Sequence, residues 1–157
     1  MPRVRRFQLW GLVAAAFWAG ASAAAAAGLE NFNNFPVSAN NYLSGTFNGQ
    51  DGSIWVYTNC QGSKVINAPT PGLKNATNAY VASGTITGGC GTISIDWMRM
   101  YTGTVNVDVV VNDTVRHTIT GGVQNVTNPA GPFDINVGGN FTLKFIQHDS
   151  RSGQVAI

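Results

Sequence analysis

The chain has few charged residues, only two cysteines and, beyond its first 27 residues, no long apolar run. Charged residues make up 10% of the 157 positions, and three of the nine basic ones, Arg3, Arg5 and Arg6, lie at the N-terminus. The rest of the chain is therefore close to neutral, without the basic surface that binding to nucleic acid or anionic lipid requires. No segment after residue 27 reaches the ~20 apolar residues of a membrane span. We expect this part of the chain to bind neither nucleic acid nor membrane.

Catalytic motifs are also lacking. The Gly-x-Ser-x-Gly elbow of hydrolases is absent, and Gly88-Gly-Cys-Gly91 precedes a predicted strand and not the helix that would bind a phosphate. His117 and His148 stand among Thr and Gln neighbours without a triad. We therefore expect no enzyme activity. A glycan-active hydrolase is the third-ranked alternative, since strand carboxylates are what a glycosidase uses.

The N-terminus carries the three parts of a secretory signal peptide. A basic segment at residues 1–6 precedes an apolar run at 7–17, and small residues follow as far as Ala27. Export machinery reads this order, with cleavage after Ala23 or Ala27. We expect residues 1–27 to be removed and residues 28–157 to be secreted or held at a cell surface. An uncleaved membrane anchor is the alternative, because the apolar stretch approaches the length of a bilayer span.

Residues 28–157 fit one domain with one core, and their composition favours β-structure. Gly, Asn, Thr, Val and Ile are abundant, whereas Glu, Lys and Leu, which favour helices, are scarce. Short apolar runs alternate with turn residues at the spacing of sandwiches and barrels. Five prolines, Pro36, Pro69, Pro71, Pro129 and Pro132, fall in the predicted connections. The nine predicted strands are Tyr42–Phe47, Ile54–Cys60, Tyr80–Thr87, Thr92–Met100, Val105–Val111, Val115–Thr120, Phe133–Val137, Phe141–Gln147 and Val155–Ile157.

Two local patterns are particularly clear. Every odd position from Val105 to Val111 is valine, which predicts a strand with one buried face. Asn112-Asp113 follows, and these residues tolerate the positive φ of a tight hairpin turn. The longest turn-rich stretch runs from Cys60 to Asn78, where binding residues are expected because long loops on a rigid scaffold carry function.

Cys60 and Cys90 are the only cysteines. In an exported β-domain two cysteines most often pair, and a bridge closing this loop would contribute about 3 kcal/mol to stability. We expect a disulfide. A thiol nucleophile or half of a metal site would need a nearby histidine, which no sequence pattern selects.

Aromatic residues in or beside the predicted strands are the candidate ligand-binding groups. Exposed rings on a sheet would stack on sugars, and polar neighbours would bind hydroxyl groups. Packing in the core is the favoured alternative for Trp55 and Trp97. The candidates are Trp55, Tyr57, Tyr80, Trp97, Arg99, Tyr101, Asn106, Asp108 and Arg116.

A set of motifs covers nearly all of residues 28–157. They are Glu30-Asn-Phe-Asn-Asn-Phe35, Tyr42-x-Ser-Gly-Thr-Phe47, Asn48-Gly-Gln-Asp-Gly-Ser53-x-Trp55-x-Tyr57, Ser83-Gly-Thr-Ile-Thr-Gly88, Gly91-Thr-Ile-Ser-Ile-Asp96 and Ser152-Gly-Gln-Val-Ala-Ile157. Together these motifs resemble the jelly-roll modules of the choice-of-anchor type, which occur in large secreted and surface proteins of environmental bacteria. The resemblance implies an antiparallel jelly-roll β-sandwich without catalytic residues, similar to carbohydrate-binding and MAM-type modules.

Family members usually continue beyond the last of these motifs, whereas this chain stops at Ile157. We expect a C-terminally truncated domain. A short last strand that leaves a sheet edge exposed is the alternative.

Calcium is the one cofactor to consider. Jelly-roll binding modules often hold a calcium ion where the start of the domain meets the final strand, which suggests Glu30 as a ligand. Asp51 lies in an oxygen-rich loop, but the loop lacks the acidic series of an EF-hand, so a plain turn is favoured there.

These observations predict a secreted accessory module that binds extracellular glycan or mediates attachment to a bacterial cell surface. A structural or spacer subunit of a surface assembly, with a surface protein as its partner, is the alternative.

Overall fold

The computed structural model describes residues 28, 30–50, 52–64, 66, 69–150 and 152–157, and the regular structure in these residues is all β-strand. The predicted signal peptide, residues 1–27, lies outside the described residues. Within the described part no helix has the length and apolarity needed to cross a membrane. The strands are β1 (Leu43–Asn48), β2 (Ile54–Gln61), β3 (Gly72–Leu73), β4 (Tyr80–Ala82), β5 (Cys90–Arg99), β6 (Val105–Val111), β7 (Thr114–Gly121), β8 (Thr127–Val137), β9 (Leu143–Gln147) and β10 (Val155–Ala156).

The strands form one antiparallel sheet in the order β7-β6-β9-β4-β2-β3-β10-β5-β8, and β1 pairs with β2. The sheet curls into a nearly closed barrel. At the closure the ring of His117 on β7 stacks on that of Phe133 on β8, with ring centroids 3.7 Å apart. The prediction of an all-β antiparallel fold is confirmed.

The core lies inside this curled sheet, where alternate residues of each strand point inward. Val105, Val107, Val109 and Val111 are all fully buried, which confirms the stripe of odd-numbered valines. Each such side chain contributes about 1.5–3 kcal/mol relative to an exposed one.

The hairpin after this stripe is also as predicted. Asn112 and Asp113 connect β6 to β7 with φ angles of 48° and 58°. Both central residues of a type I′ turn need positive φ, and Asn and Asp tolerate it better than other residues with side chains.

The placement of two prolines in connections was wrong. Pro129 and Pro132 lie within β8, which is the last strand in the sheet order and pairs with β5 alone. A proline lacks the N–H that a central strand must donate, so an edge strand accommodates it. Gly131 between them has φ 98°, and the β5–β8 register shifts nearby, between Ile93 and Ile95.

The alternative of an exposed sheet edge at the last strand does not hold, because this strand is paired on both sides. Strand β10 lies between β3 and β5 and pairs with both, and Val155 and Ala156 are fully buried. The backbone N–H of Ile157 donates to the carbonyl of Pro71 at 3.1 Å. Strand β3 escaped prediction because it has only two residues between turn-rich segments.

Candidate functional site

Three of the predicted ligand-binding aromatics lie in the core. Trp55, Tyr57 and Trp97 are 2%, 6% and 4% exposed. The ring of Phe47 lies 6.2 Å from that of Trp55 and 6.3 Å from that of Tyr57. These side chains therefore stabilise the fold, as the core alternative for the tryptophans anticipated, and leave little surface on which a sugar could stack.

Tyr80 lies on the outer face of the sheet. Its neighbour Val81 is buried in the core, so the alternation of the strand turns Tyr80 outward. Tyr80 lines a groove of about 350 Å³ together with Val56, Asp113 and Lys144. The Lys144 Nζ lies 5.0 Å from the centroid of the Tyr80 ring. The groove thus combines an aromatic ring and an apolar side chain with charges of both signs.

Asp108 lies on β6, and both of its carboxylate oxygens have partners. Oδ1 accepts a hydrogen bond from the Thr118 hydroxyl at 2.7 Å, and Oδ2 lies 2.8 Å from His148 Nδ1. This hydrogen bond and the Asp108 charge raise the pKa of His148. The carbonyl of nearby Asn106 accepts hydrogen bonds from the His148 backbone N–H and from the Ser152 hydroxyl. Asp108 and the Asn106 backbone thus hold the segment after β9 against β6.

A different group of side chains meets at one end of the barrel. Tyr42 directly precedes β1, Gln61 ends β2, Tyr101 follows β5 by two residues, and Gln154 directly precedes β10. Because β1 pairs with β2 and β10 pairs with β5, these four positions come together. We call these residues the tyrosine–glutamine cluster.

Gln61 links the two tyrosines of this cluster. It is 1% exposed, and its side-chain N–H donates to the Tyr42 hydroxyl at 2.9 Å and, more weakly, to the Tyr101 hydroxyl at 3.5 Å. The Tyr42 hydroxyl in turn donates to Gln154 Oε1. Ser63 donates to Gln61 Oε1 at 3.1 Å, so the buried amide has partners at both of its ends. The buried Gln61 side chain therefore orients the Tyr42 ring and also reaches the Tyr101 hydroxyl through a longer contact.

The protonation of Tyr42 fits this network. Burial, followed by the charges of Tyr101 and Cys60, raises the pKa of Tyr42 to about 12. The phenol therefore keeps its proton at neutral pH, which it needs to donate to Gln154 while it accepts from Gln61.

Two lysines flank the cluster. The Lys64 Nζ lies 5.4 Å from the centroid of the Tyr101 ring and donates to Asn125 Oδ1 at 2.9 Å. The Lys74 Nζ lies 5.6 Å from the centroid of the Tyr42 ring. Both distances are within the ~6 Å of a cation–π contact. Among the described residues the only ion pair joins His148 to Asp108, so neither lysine is neutralised by a described carboxylate.

The two predicted arginines lie in different places. Arg99 ends β5, two residues before Tyr101, and its buried Nε has no hydrogen-bond partner among the described residues. Its carbonyl accepts a hydrogen bond from Asn125, the residue that also binds Lys64. Arg116 is exposed on β7. The fold thus brings Arg99 and Tyr101 to the cluster and leaves Arg116 apart from it.

The sequence did not indicate that the residues of this cluster come together in one site. It did indicate the turn-rich stretch from Cys60 to Asn78, which contains Gln61, Lys64 and Lys74. No local spacing reveals the contacts, because they join residues far apart in the chain and depend on how β1, β2, β5 and β10 pair. Gln154 carried no site prediction.

The predicted disulfide is wrong, because Cys60 and Cys90 are both free. Cys60 pairs with Leu73, which pairs with Val155. Val155 pairs with Arg99 at the end of β5, whereas Cys90 begins this strand of 10 residues. At ~3.3 Å per residue the separation along β5 is about 30 Å, against the ~4.4–6.8 Å between Cα atoms in a disulfide. Burial raises the pKa of the Cys60 thiol to about 12.

Of the two predicted calcium ligands, the structure describes only Glu30. Glu30 Oε1 accepts the backbone N–H of Phe32 at 2.6 Å, and Oε2 accepts that of Gln50 at 2.7 Å. Asp51 lies outside the described residues. No group of three or more His, Cys, Asp and Glu side chains in the described ranges could hold a metal ion. Calcium binding stays a prediction.

Comparison with known proteins gave no match, whether the chain was scanned against protein-family models or searched against curated proteins and solved structures.

Proposed function

We propose that this protein is a non-catalytic secreted module that binds extracellular glycan through the tyrosine–glutamine cluster. The observation that carries the proposal is the pair of non-buried rings, Tyr42 and Tyr101, held at one end of the barrel by the buried Gln61. A lysine lies beside each ring.

Such an arrangement suits a sugar. The face of a pyranose that carries axial C–H groups is apolar and packs on an aromatic ring, while its hydroxyl groups need hydrogen-bonding partners. Tyr101 is 39% exposed, so part of its surface is accessible to a ligand. Gln61 orients the Tyr42 ring before any ligand arrives, which reduces the entropy lost on binding.

The proposal also covers the location of the protein and the type of its β-fold. The N-terminal signal and the resemblance to choice-of-anchor modules support secretion and attachment at a bacterial surface. The pairings of β2 support a jelly-roll sandwich: residues Val56–Thr58 pair with β4, whereas Cys60 and Gln61 pair with β3. The sheet can therefore divide at β2 into two layers that face each other across the core.

A glycan-array screen of the purified protein tests the proposal. Wild type should bind at least one glycan saturably, and Tyr101→Ala should abolish that binding while the circular dichroism spectrum is unchanged. Val115→Ala, at an exposed position on β7, is the matched control and should bind as wild type does.

Three outcomes of this screen would count against the proposal. Loss of binding in Tyr80→Ala but not in Tyr101→Ala would move the site to the Tyr80 groove. Binding to no glycan by the folded protein would overturn the function. Release of reducing sugar from a bound glycan would contradict the non-catalytic role.

The second candidate is a structural subunit of a surface assembly. Strand β1 pairs with β2 alone among the described strands, and an edge strand with a free side can pair with another chain. Ile54 and Val56, on the outer face of β2, are 59% and 38% exposed. Regular concentration-dependent self-association in sedimentation velocity, abolished by Val56→Lys, would favour this candidate.

A further inference from the structure

We infer that the glycan bound at the tyrosine–glutamine cluster is anionic, a polysaccharide that carries carboxylate or sulfate groups. The inference rests on the proposed function and adds the chemical class of the ligand to it.

The first observation concerns all the lysines of the chain. There are three, Lys64, Lys74 and Lys144, and each lies over the ring of a tyrosine that is not buried, at 5.0–5.6 Å. The fourth tyrosine, Tyr57, is buried. A ligand that stacks on any of the three accessible rings therefore meets an ammonium group next to it.

The second observation separates the cluster from the Tyr80 groove. Asp113 lines the groove together with Lys144, so the groove holds charges of both signs. In the cluster, Lys64 donates to the neutral side chain of Asn125. Neither Lys64 nor Lys74 forms an ion pair with a carboxylate among the described residues. Unlike the Tyr80 groove, the contacts of the cluster lysines therefore include no described carboxylate.

The third observation concerns Arg99, which ends β5 two residues before Tyr101. The Arg99 carbonyl accepts from the backbone N–H of Asn125, whose Oδ1 accepts from Lys64, and the buried Arg99 Nε donor lacks a partner in the described part of the chain. A cation that is partly buried and incompletely paired adds to the positive potential at this end of the barrel. Three described carboxylates have partners elsewhere: Glu30 accepts from the Phe32 backbone, Asp108 contacts His148, and Asp149 accepts from the Ser152 hydroxyl.

These observations combine into a recognition mode. A uronate or a sulfated sugar has an apolar C–H face for the ring and an anionic group at its rim for the lysine. The lysines are accessible to solvent, so each should change the dissociation constant by about two- to fivefold, the range of an exposed ion pair. Binding should also weaken as salt rises above ~0.1 M, where screening acts over about 10 Å.

Two matched pairs of polymers test the inference by affinity electrophoresis or calorimetry. The carboxylate arm compares polygalacturonate with its methyl ester, and the sulfate arm compares dextran sulfate with dextran. The protein should bind the charged member of at least one pair more tightly, and the arm that responds identifies the anion. Lys64→Gln and Lys74→Gln should each weaken this binding about two- to fivefold. Arg116→Gln is the charge-matched control, since Arg116 is exposed on β7 apart from the cluster, and it should leave binding unchanged.

The outcomes separate this inference from the function on which it rests. Equal binding of the charged and neutral polymers, lost in Tyr101→Ala, would overturn the anionic class and keep glycan binding. An equal loss in Arg116→Gln would show unspecific attraction and overturn the site. No binding to any of the four polymers, together with an array without hits, would overturn the proposed function itself.

Discussion

Replacement of Tyr42 by phenylalanine tests the hydrogen-bond network that holds the cluster together. The change removes one hydroxyl, which accepts from the buried Gln61 and donates to Gln154. Gln61 would keep only its 3.5 Å contact with Tyr101 as a side-chain acceptor for this N–H. A buried donor that loses its partner costs about 1–3 kcal/mol. We expect Tyr42→Phe to lower the free energy of unfolding by about 1–2 kcal/mol, and Tm by about 3–6 °C for a chain of this size.

Tyr101→Phe is the matched control. The same atom is removed, but the hydrogen bond is long and the ring is 39% exposed, so the expected loss is at most about 0.5 kcal/mol. Urea denaturation followed by tryptophan fluorescence measures both variants with equal m values. The reasoning is refuted if the two variants are equally stable, because Tyr42 would then not be the main partner of Gln61.

Three further predictions concern other parts of the molecule. Iodoacetamide should alkylate native Cys90 but not buried Cys60, and a reducing agent should leave Tm unchanged; a bridged peptide in the mass spectrum would contradict the free thiols. In an NMR titration the pKa of His148 should lie above its usual range and return to it in Asp108→Asn. Because this folded-state pKa is raised, the His148–Asp108 pair should stabilise fully below the unfolded pKa of about 6.5 and less as pH rises through the folded pKa; Tm that is independent of pH there would exclude the contribution. Asp113→Val should lower the free energy of unfolding by about 1–2 kcal/mol because Asp113 has φ 58°, whereas Asp113→Gly should be tolerated. Urea denaturation measures both variants, and a more stable Asp113→Val variant would contradict this prediction.

The fold could be predicted from the sequence wherever a local pattern determines it. The valines from Val105 to Val111 and the Asn112-Asp113 turn define β6 and its hairpin, because strand alternation and positive φ are properties of neighbouring residues. Pairing between distant strands has no such local signature. Cys60 and Cys90 were expected to pair because both lie in the exported part of the chain, but the register places Cys60 on β2 level with the end of β5, whereas Cys90 begins β5.

The candidate site illustrates the same division. Aromatic and polar residue types suggested Tyr101 and Arg99, and loop length indicated the segment that contains Gln61 and Lys64. Their assembly depends on β10, a strand of two residues that brings Gln154 beside the end of β5. The sequence alone could not decide whether Trp55 is buried or exposed, because either face of a strand that is apolar on both sides could turn inward.

The central claim is that glycan binds at the tyrosine–glutamine cluster, and chemical-shift mapping tests it most directly. An oligosaccharide fragment of an array hit is titrated into isotope-labelled protein, and the backbone, side-chain amide and tyrosine ring signals are followed. The account predicts saturable shifts that are largest at Tyr42, Gln61, Lys64 and Tyr101. Shifts centred on Tyr80 and Lys144, or none at saturating ligand, would contradict it.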